Sequence, residues 1–287
     1  MCDNEPGIFN ILKQTLRNFM LFCSIVLLPA ALYAEPLFDG HLHYNAADAK
    51  QYSPQHIIQI LDRNQIKYAV INGTPSIHTA HLFRHAPKRI VPFLNIYRSH
   101  ADKIIWPNDA SLPKRIEIEL SKGHWRGIGE LHLFAKDRHS PVFRRVVEIA
   151  MQYKLPLQLH TDPAVIDTVY DIAPNQPVIW AHAGTFPYPD LIADYLQRYS
   201  KLMIDLSVRD ERIAPNGEIS DDWYELFVRY PDRFIVGVDT YSLSRWQDYD
   251  SVVASIRNWL AQLPDDVAHQ LAYDNAARFF GKTKSEK

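Results

Sequence analysis

The feature that most constrains the fold of this chain is a recurrence. A short apolar run followed by an amphipathic stretch repeats along most of its length, the pattern of parallel strands joined by covering helices. Eight candidate strands fall at 36–43 (PLFDGHLH), 67–72 (KYAVIN), 90–97 (IVPFLNIY), 126–132 (RGIGELH), 156–161 (PLQLHT), 177–183 (PVIWAHA), 202–208 (LMIDLSV) and 233–239 (RFIVGVD). Several are apolar on both faces, as parallel strands buried under helices must be. Helix starts lie between them. Ser53-Pro54 and Ser140-Pro141 each place a serine N-cap before a proline at the first helical position. Val142, Phe143, Val146, Val147 and Ala150 then form a helical stripe. Pro189-Asp190 opens the helix after the sixth strand, and Asp221 and Asp222 place acids at the positive end of the one after the seventh. Residues 265–280 read as a last helix. The stretch 98–124 is less regular, with a loop around Trp106 and Pro107 before a helix near 112–122. Eight strand–helix units in about 250 residues predict an α/β fold, a (β/α)8 TIM barrel forming a single domain over 35–287.

The first 34 residues read as an address label. Lys13 and Arg17 precede an apolar run from Phe19 to Ala34 that ends in Ala-Leu-Tyr-Ala before Glu35. This pattern predicts a secretory signal peptide over 1–34, cleaved after Ala34, and a secreted or periplasmic product. An uncleaved anchor is the alternative, although the run is short for a span of ~20 residues. Cys2 and Cys23 are the only cysteines of the chain. The cleaved protein would therefore carry no disulfide and no thiol chemistry. The net charge of -2, from 31 basic and 33 acidic residues, gives no electrostatic footprint for nucleic acid or an anionic membrane. A small molecule is the expected partner.

The chemistry concentrates at strand ends. His41 and His43 stand as Gly-His-Leu-His at the end of the first strand. Residues i and i+2 of a strand point to the same side, so two imidazoles enter one volume, which suits a divalent cation. His160 follows His43 by 117 residues, His182 follows His160 by 22 and Asp239 follows His182 by 57. Each ends its own candidate strand, and in a barrel all eight ends meet on one face, where active sites are built. Glu130, in Gly-Ile-Gly-Glu-Leu-His, ends the fourth strand. Individually these residues have plainer uses: His160 or His182 as a core histidine, Asp239 as a helix cap, Glu130 as a buried partner of Arg126 or Arg98. The joint spacing favours a shared site. Around its mouth, Arg98, His100, His132, Arg209 and Tyr241 are candidates for substrate contact, an arginine there being suited to a carboxylate or phosphate. Equally, each arginine could pair with a nearby acid such as Asp210 or Glu211. Trp106, Trp125 and Trp180 are expected in the core.

From FDGHLHYN, through the His160, His182 and Asp239 strand ends, to the closing YDNAARFFG, the pattern resembles the amidohydrolase superfamily of metal-dependent hydrolases, in particular its amidohydrolase-2 branch. The resemblance implies one or two divalent ions held by His41, His43, His160 and Asp239. It places His182 on a second ion or on substrate, and Glu130 where many relatives carry a carboxylated lysine. Zn²⁺ is the default from ligand type, with Mn²⁺ and Fe²⁺ compatible. In this reading Asp239 acts as general base towards water and His182 polarises a carbonyl or stabilises an oxyanion, in hydrolysis of an amide, lactone or ester. The alternatives are decarboxylation of an aromatic acid, phosphoester cleavage, and a non-catalytic metal-binding scaffold.

Overall fold

Residues 35–282 are described by the structure, a computed structural model. The signal peptide expected over 1–34 lies outside the described residues. The apolar runs form eight strands: β1 (Leu37–His43), β2 (Ile66–Asn72), β3 (Ile90–Leu94), β4 (Gly127–Leu133), β5 (Leu157–Thr161), β6 (Val178–Trp180), β7 (Leu202–Asp205) and β8 (Phe234–Ile235). They pair in parallel in sequence order, β1 to β8. The circle is nearly closed. Gly40 N donates to Val236 O at 2.8 Å, and Asp239 N donates to His41 O at 2.8 Å. Gly40 permits this approach, because a Cβ there would lie 2.3 Å from Ile235 Cγ2.

One principal helix follows each strand: α1 (Pro54–Arg63), α2 (Ile77–His85), α3 (Leu112–Leu120), α4 (Pro141–Gln152), α5 (Pro163–Ile172), α6 (Pro189–Arg198), α7 (Asp221–Arg229) and α8 (Tyr249–Leu260). The serine caps form as expected: Ser53 Oγ accepts from His56 N, and Ser140 Oγ accepts from Val142 N and Phe143 N. The α4 stripe Val142, Phe143, Val146, Val147 and Ala150 is buried in the core, as are Trp106, Trp125 and Trp180. The architecture is thus that of a (β/α)8 TIM barrel. Among the described residues, no helix is long and apolar enough to cross a membrane.

Four strands are shorter than the apolar runs predicted. The runs 90–97, 177–183, 202–208 and 233–239 leave the sheet at Leu94, Trp180, Asp205 and Ile235. Beyond the last three of these points the backbone turns left-handed at His182 (φ 59°), Ala183 (φ 54°), Val208 (φ 55°) and Asp239 (φ 56°). The predicted last helix is one run with a wide turn at Gln270–Asp274. Within it, Asn275 Nδ2 donates to Pro231 O at 2.8 Å and Phe234 O at 2.9 Å, fastening this helical run to β8.

Candidate active site

The site is built on the carboxyl ends of the strands. The extended backbone of β1 sends His41 and His43 to the same side, with Nε2 atoms 3.3 Å apart. The orientation of His41 is fixed from behind: its Nδ1 lies 2.6 Å from Asp205 Oδ2, both side chains being fully buried. A carboxylate accepts only, so the proton sits on Nδ1 and leaves Nε2 a free donor atom. His182 is held in a parallel manner, with Nδ1 2.9 Å from Ser207 Oγ and Nε2 3.0 Å from Glu130 Oε1.

Glu130 is the centre of the cluster. Its Oε1 lies 3.0 Å from both His160 Nδ1 and His182 Nε2. Its Oε2 lies 3.4 Å from His43 Nε2, 3.8 Å from His41 Nε2 and 3.6 Å from His132 Nε2. The neighbouring glycine makes this placement possible: at Gly129 (φ +149°) a Cβ would fall 2.6 Å from Gln158 O on β5. An arginine partner for Glu130 is not found. Arg98 binds Asp102, and Arg126 reaches backbone carbonyls of residues 123–125. Asp239 closes the cluster, with Oδ1 3.2 Å from His43 Nε2 and 3.9 Å from His41 Nε2, and Oδ2 3.7 Å from His182 Nε2.

The electrostatics follow from three buried carboxylates among imidazoles. Burial alone would raise the carboxyl pKa values and lower those of the histidines. For Glu130 burial is outweighed by His132 and His41, and by hydrogen bonds from His160 and His182, which hold the carboxyl well below its ordinary range. Asp239, also resisting burial, is held down to about 2 by His41 and His43. In return Asp239, Asp205 and Glu130 overcome the burial of His41 and push its pKa well up, and Asp239 and Glu130 do the same for His43. The cluster therefore calls for positive charge at its centre, as imidazole protons or as a metal cation.

The donor set fits a cation. His41, His43 and Glu130 offer three ligand atoms within 4.8 Å of one another, and so do Glu130, His160 and His182. The two triads share Glu130, and Asp239 Oδ1, 3.2 Å from His43 Nε2, borders the first. A third triad, His41, His182 and Asp205, meets the same spacing. Asp205 is already occupied, however: it accepts from His41 Nδ1, Ser207 N and Ser207 Oγ, at 2.6, 2.8 and 2.9 Å. It is an orienting partner and not a spare ligand.

The mouth residues divide. A cavity of about 520 Å³ opens beside His43 and is lined in part by Arg98, His100 and Tyr241. Arg98 there is already clamped to Asp102, through Nε at 2.9 Å and Nη2 at 3.0 Å. His132 packs face to face on His160, with ring centroids 4.5 Å apart, and burial drives its pKa down to about 3. Arg209 departs from expectation. It donates to His182 O at 2.6 Å and Gly184 O at 3.1 Å, so it braces the left-handed turn that carries His182 and pairs with neither Asp210 nor Glu211. Sequence reasoning passed over Asp205, Ser207 and Lys103. An acid inside the apolar run LMID was the available signal for Asp205; Lys103 carried none.

A parallel barrel whose strand ends converge on four histidines and two carboxylates defines a hydrolase-type enzyme built around metal-ligand chemistry. A family model described as amidohydrolase (Amidohydro_2) matches residues 39–282, and the chain belongs to that family. No curated protein sequence matches it. Among solved structures it is similar to a probable 2-pyrone-4,6-dicarboxylic acid hydrolase from Acinetobacter baumannii with citric acid bound, at 14% identity and TM-score 0.61, covering 85% of this chain and 99% of that one. It is also similar to a zinc-bound amidohydrolase from Burkholderia multivorans, at 15% identity and TM-score 0.56, covering 86% and 99%. A TatD homologue from Escherichia coli aligns at 12% identity and TM-score 0.60, covering 85% and 98%. At these identities the likeness concerns the fold.

Proposed function

We propose that the protein is a metal-dependent hydrolase that cleaves an amide, lactone or ester bond in a small molecule. The observation that carries this reading is Glu130, one buried carboxylate placed between two histidine pairs. His41, His43 and Asp239 would hold one divalent ion, His160 and His182 a second, with Glu130 serving both. Nitrogen and oxygen donors suit Zn²⁺, with Mn²⁺ and Fe²⁺ as alternatives. The zinc in a similar barrel supports the choice. The chemistry such a cation supplies is polarisation of a carbonyl and acidification of water.

The chain's own residues do the remainder. Asp205 and Ser207 hold protons on the Nδ1 atoms of His41 and His182, so that both Nε2 atoms face the centre. Asp239, kept ionised by its histidine neighbours, takes a proton from the attacking water at a carboxylate oxygen and passes it to the leaving group. Arg209 keeps the turn of His182 in place through its two carbonyl contacts. Arg98, His132 and Tyr241 border the approach to the site and would select substrate. We also read residues 1–34 as an export signal, which N-terminal sequencing of the exported product tests.

Metal content is the direct test. Purified protein should carry divalent metal, and His41→Ala and His160→Ala should each lose at least half of it. Equal metal in all three would refute the assignment. A panel of small lactones, esters and amides then tests the bond class.

A further inference from the structure

Lys103 belongs to no ligand set, yet the fold directs it at the site. It lies in the short helix Asp102–Ile105 after β3, between two anchors. On one side Asp102 is gripped by the backbone N and guanidinium of Arg98. On the other, Trp106 is buried and its Nε1 donates to His132 O at 2.8 Å. Ile104 and Ile105 are 81% and 54% exposed, so the helix turns its apolar residues outward and its lysine inward. There Lys103 Nζ lies 3.2 Å from His132 Nε2. Among the described residues this is its one hydrogen-bond partner, and it forms no ion pair with a carboxylate.

The cavity it helps line has one sign of charge. The lining includes His43, Asn95, Arg98, His100, Lys103 and Tyr241, and no aspartate or glutamate. Its volume, about 520 Å³, is that of a small-molecule site. An ammonium group half withdrawn from water, with two N–H donors unspent, calls for an anion. Glu130 and Asp239 act on the ammonium across the site, but neither forms an ion pair with it, and both are committed to histidines. The missing anion therefore arrives with the ligand.

We propose that Lys103 anchors a carboxylate of the substrate in this cavity, so that the enzyme acts on small carboxylic acids. The inference rests on the hydrolase reading for the word substrate, and on charge and geometry for the rest. A carboxylate suits the site better than a phosphate ester. One charge meets one unpaired cation, whereas a phosphate brings −1.5 to −2, and Arg98 has already given two nitrogens to Asp102.

The test measures binding apart from turnover. Zinc-loaded full-length protein, Lys103→Met and Lys103→Arg are titrated calorimetrically with glutarate, citrate, their methyl esters and inorganic phosphate. Metal content and Tm are recorded for each variant. The expected result is that at least one free acid binds the parent protein, about tenfold or more weaker to Lys103→Met, and within a few-fold of the parent to Lys103→Arg. Three outcomes overturn the proposal: equal binding of the acid by parent and Lys103→Met at equal metal content, ester binding as tightly as acid, or no acid binding at all. Stronger binding of phosphate than of the acids would overturn the choice of carboxylate. Acid binding through Lys103 without hydrolysis of any lactone, ester or amide would leave the anchor standing and remove the hydrolase reading.

Discussion

Substituting Asp205 by asparagine tests whether the site is ordered from behind. Asp205 touches no substrate and occupies no ligand position, yet its Oδ2 receives the Nδ1 proton of His41 at 2.6 Å in a fully buried pair. Its Oδ1 accepts from Ser207 N at 2.8 Å. In Asp205→Asn that backbone N–H holds the amide oxygen in the Oδ1 position, which turns the amide NH₂ towards His41 Nδ1. A donor then faces a donor. His41 must shift its proton to Nε2, the atom 3.3 Å from His43 Nε2 and 3.8 Å from Glu130 Oε2. A protonated Nε2 cannot ligate. The lost charge-assisted hydrogen bond is worth about 1.5–3 kcal/mol, which matches the 10–100-fold typical of metal sites whose outer partners are removed. Zinc affinity, measured by competition against a chromogenic chelator at pH 7.5, should therefore fall about 10–100-fold. Nitrogen chemical shifts of the zinc-loaded variant should report whether His41 still ligates through Nε2. Zinc affinity within twofold of the parent would refute the tautomer argument, and with it the role assigned to Asp205.

Glu130→Gln should lower the metal content of both triads together and not of one alone, read by elemental analysis, because Glu130 is their shared member. Gly129→Ala should destabilise the fold by about 1–3 kcal/mol in urea titrations, since the new Cβ meets Gln158 O at 2.6 Å and cannot be relieved by a rotamer change. Asn275→Ala should cost about 1–3 kcal/mol, because it leaves Pro231 O and Phe234 O without their donor. Asp39 gives a pH signature. Burial, opposed by hydrogen bonds from Tyr249, His41 and Val238, lifts its carboxyl to about 7, above the ~3.9 of the unfolded chain. The folded state thus loses stability from Asp39 as pH rises between those values. Urea stability of Asp39→Asn relative to the parent should accordingly climb from pH 4 to pH 7 and level off above; a flat difference would contradict this.

The recurrence of apolar runs carried the barrel because eight strand–helix units in about 250 residues match it in number and length, and the six predicted ligand positions do converge. His41, His43, Glu130, His160, His182 and Asp239 were legible because each ends an apolar run. Their supports were less so. Asp205 lay hidden inside the predicted run 202–208, where an acid signals burial but not its partner. The contact of Arg209 with the carbonyls of His182 and Gly184 depends on a turn that residue types do not announce. Lys103 reaches the site through two anchors, a local pair of Asp102 with Arg98 and a contact of Trp106 with the carbonyl of His132, which lies 26 residues further along the chain.

The shortened strands have a physical reason that bears on the site. Alternation along a strand sends side chains to the two faces of the sheet, but a ligand at the rim must lean across the barrel mouth. After β6 and β8 the chain achieves this by leaving the extended conformation: His182 and Asp239 take φ values of 59° and 56°. Such conformations are disfavoured for residues with a Cβ, at about 1–3 kcal/mol each where sparsely populated, and persist only when surroundings fix them. Here the fixing contacts are visible. Arg209 braces the carbonyl of His182, and the turn at Asp239 is held by its N–H to His41 O and by Arg245 Nε to its carbonyl at 3.2 Å. Val208, a β-branched residue at φ 55°, follows directly on Ser207, which orients His182. The backbone departs from its preferred conformations where the proposed ligands and their supports stand. The run of apolar residues that predicted longer strands continued through these turns because they are buried, not because they are extended.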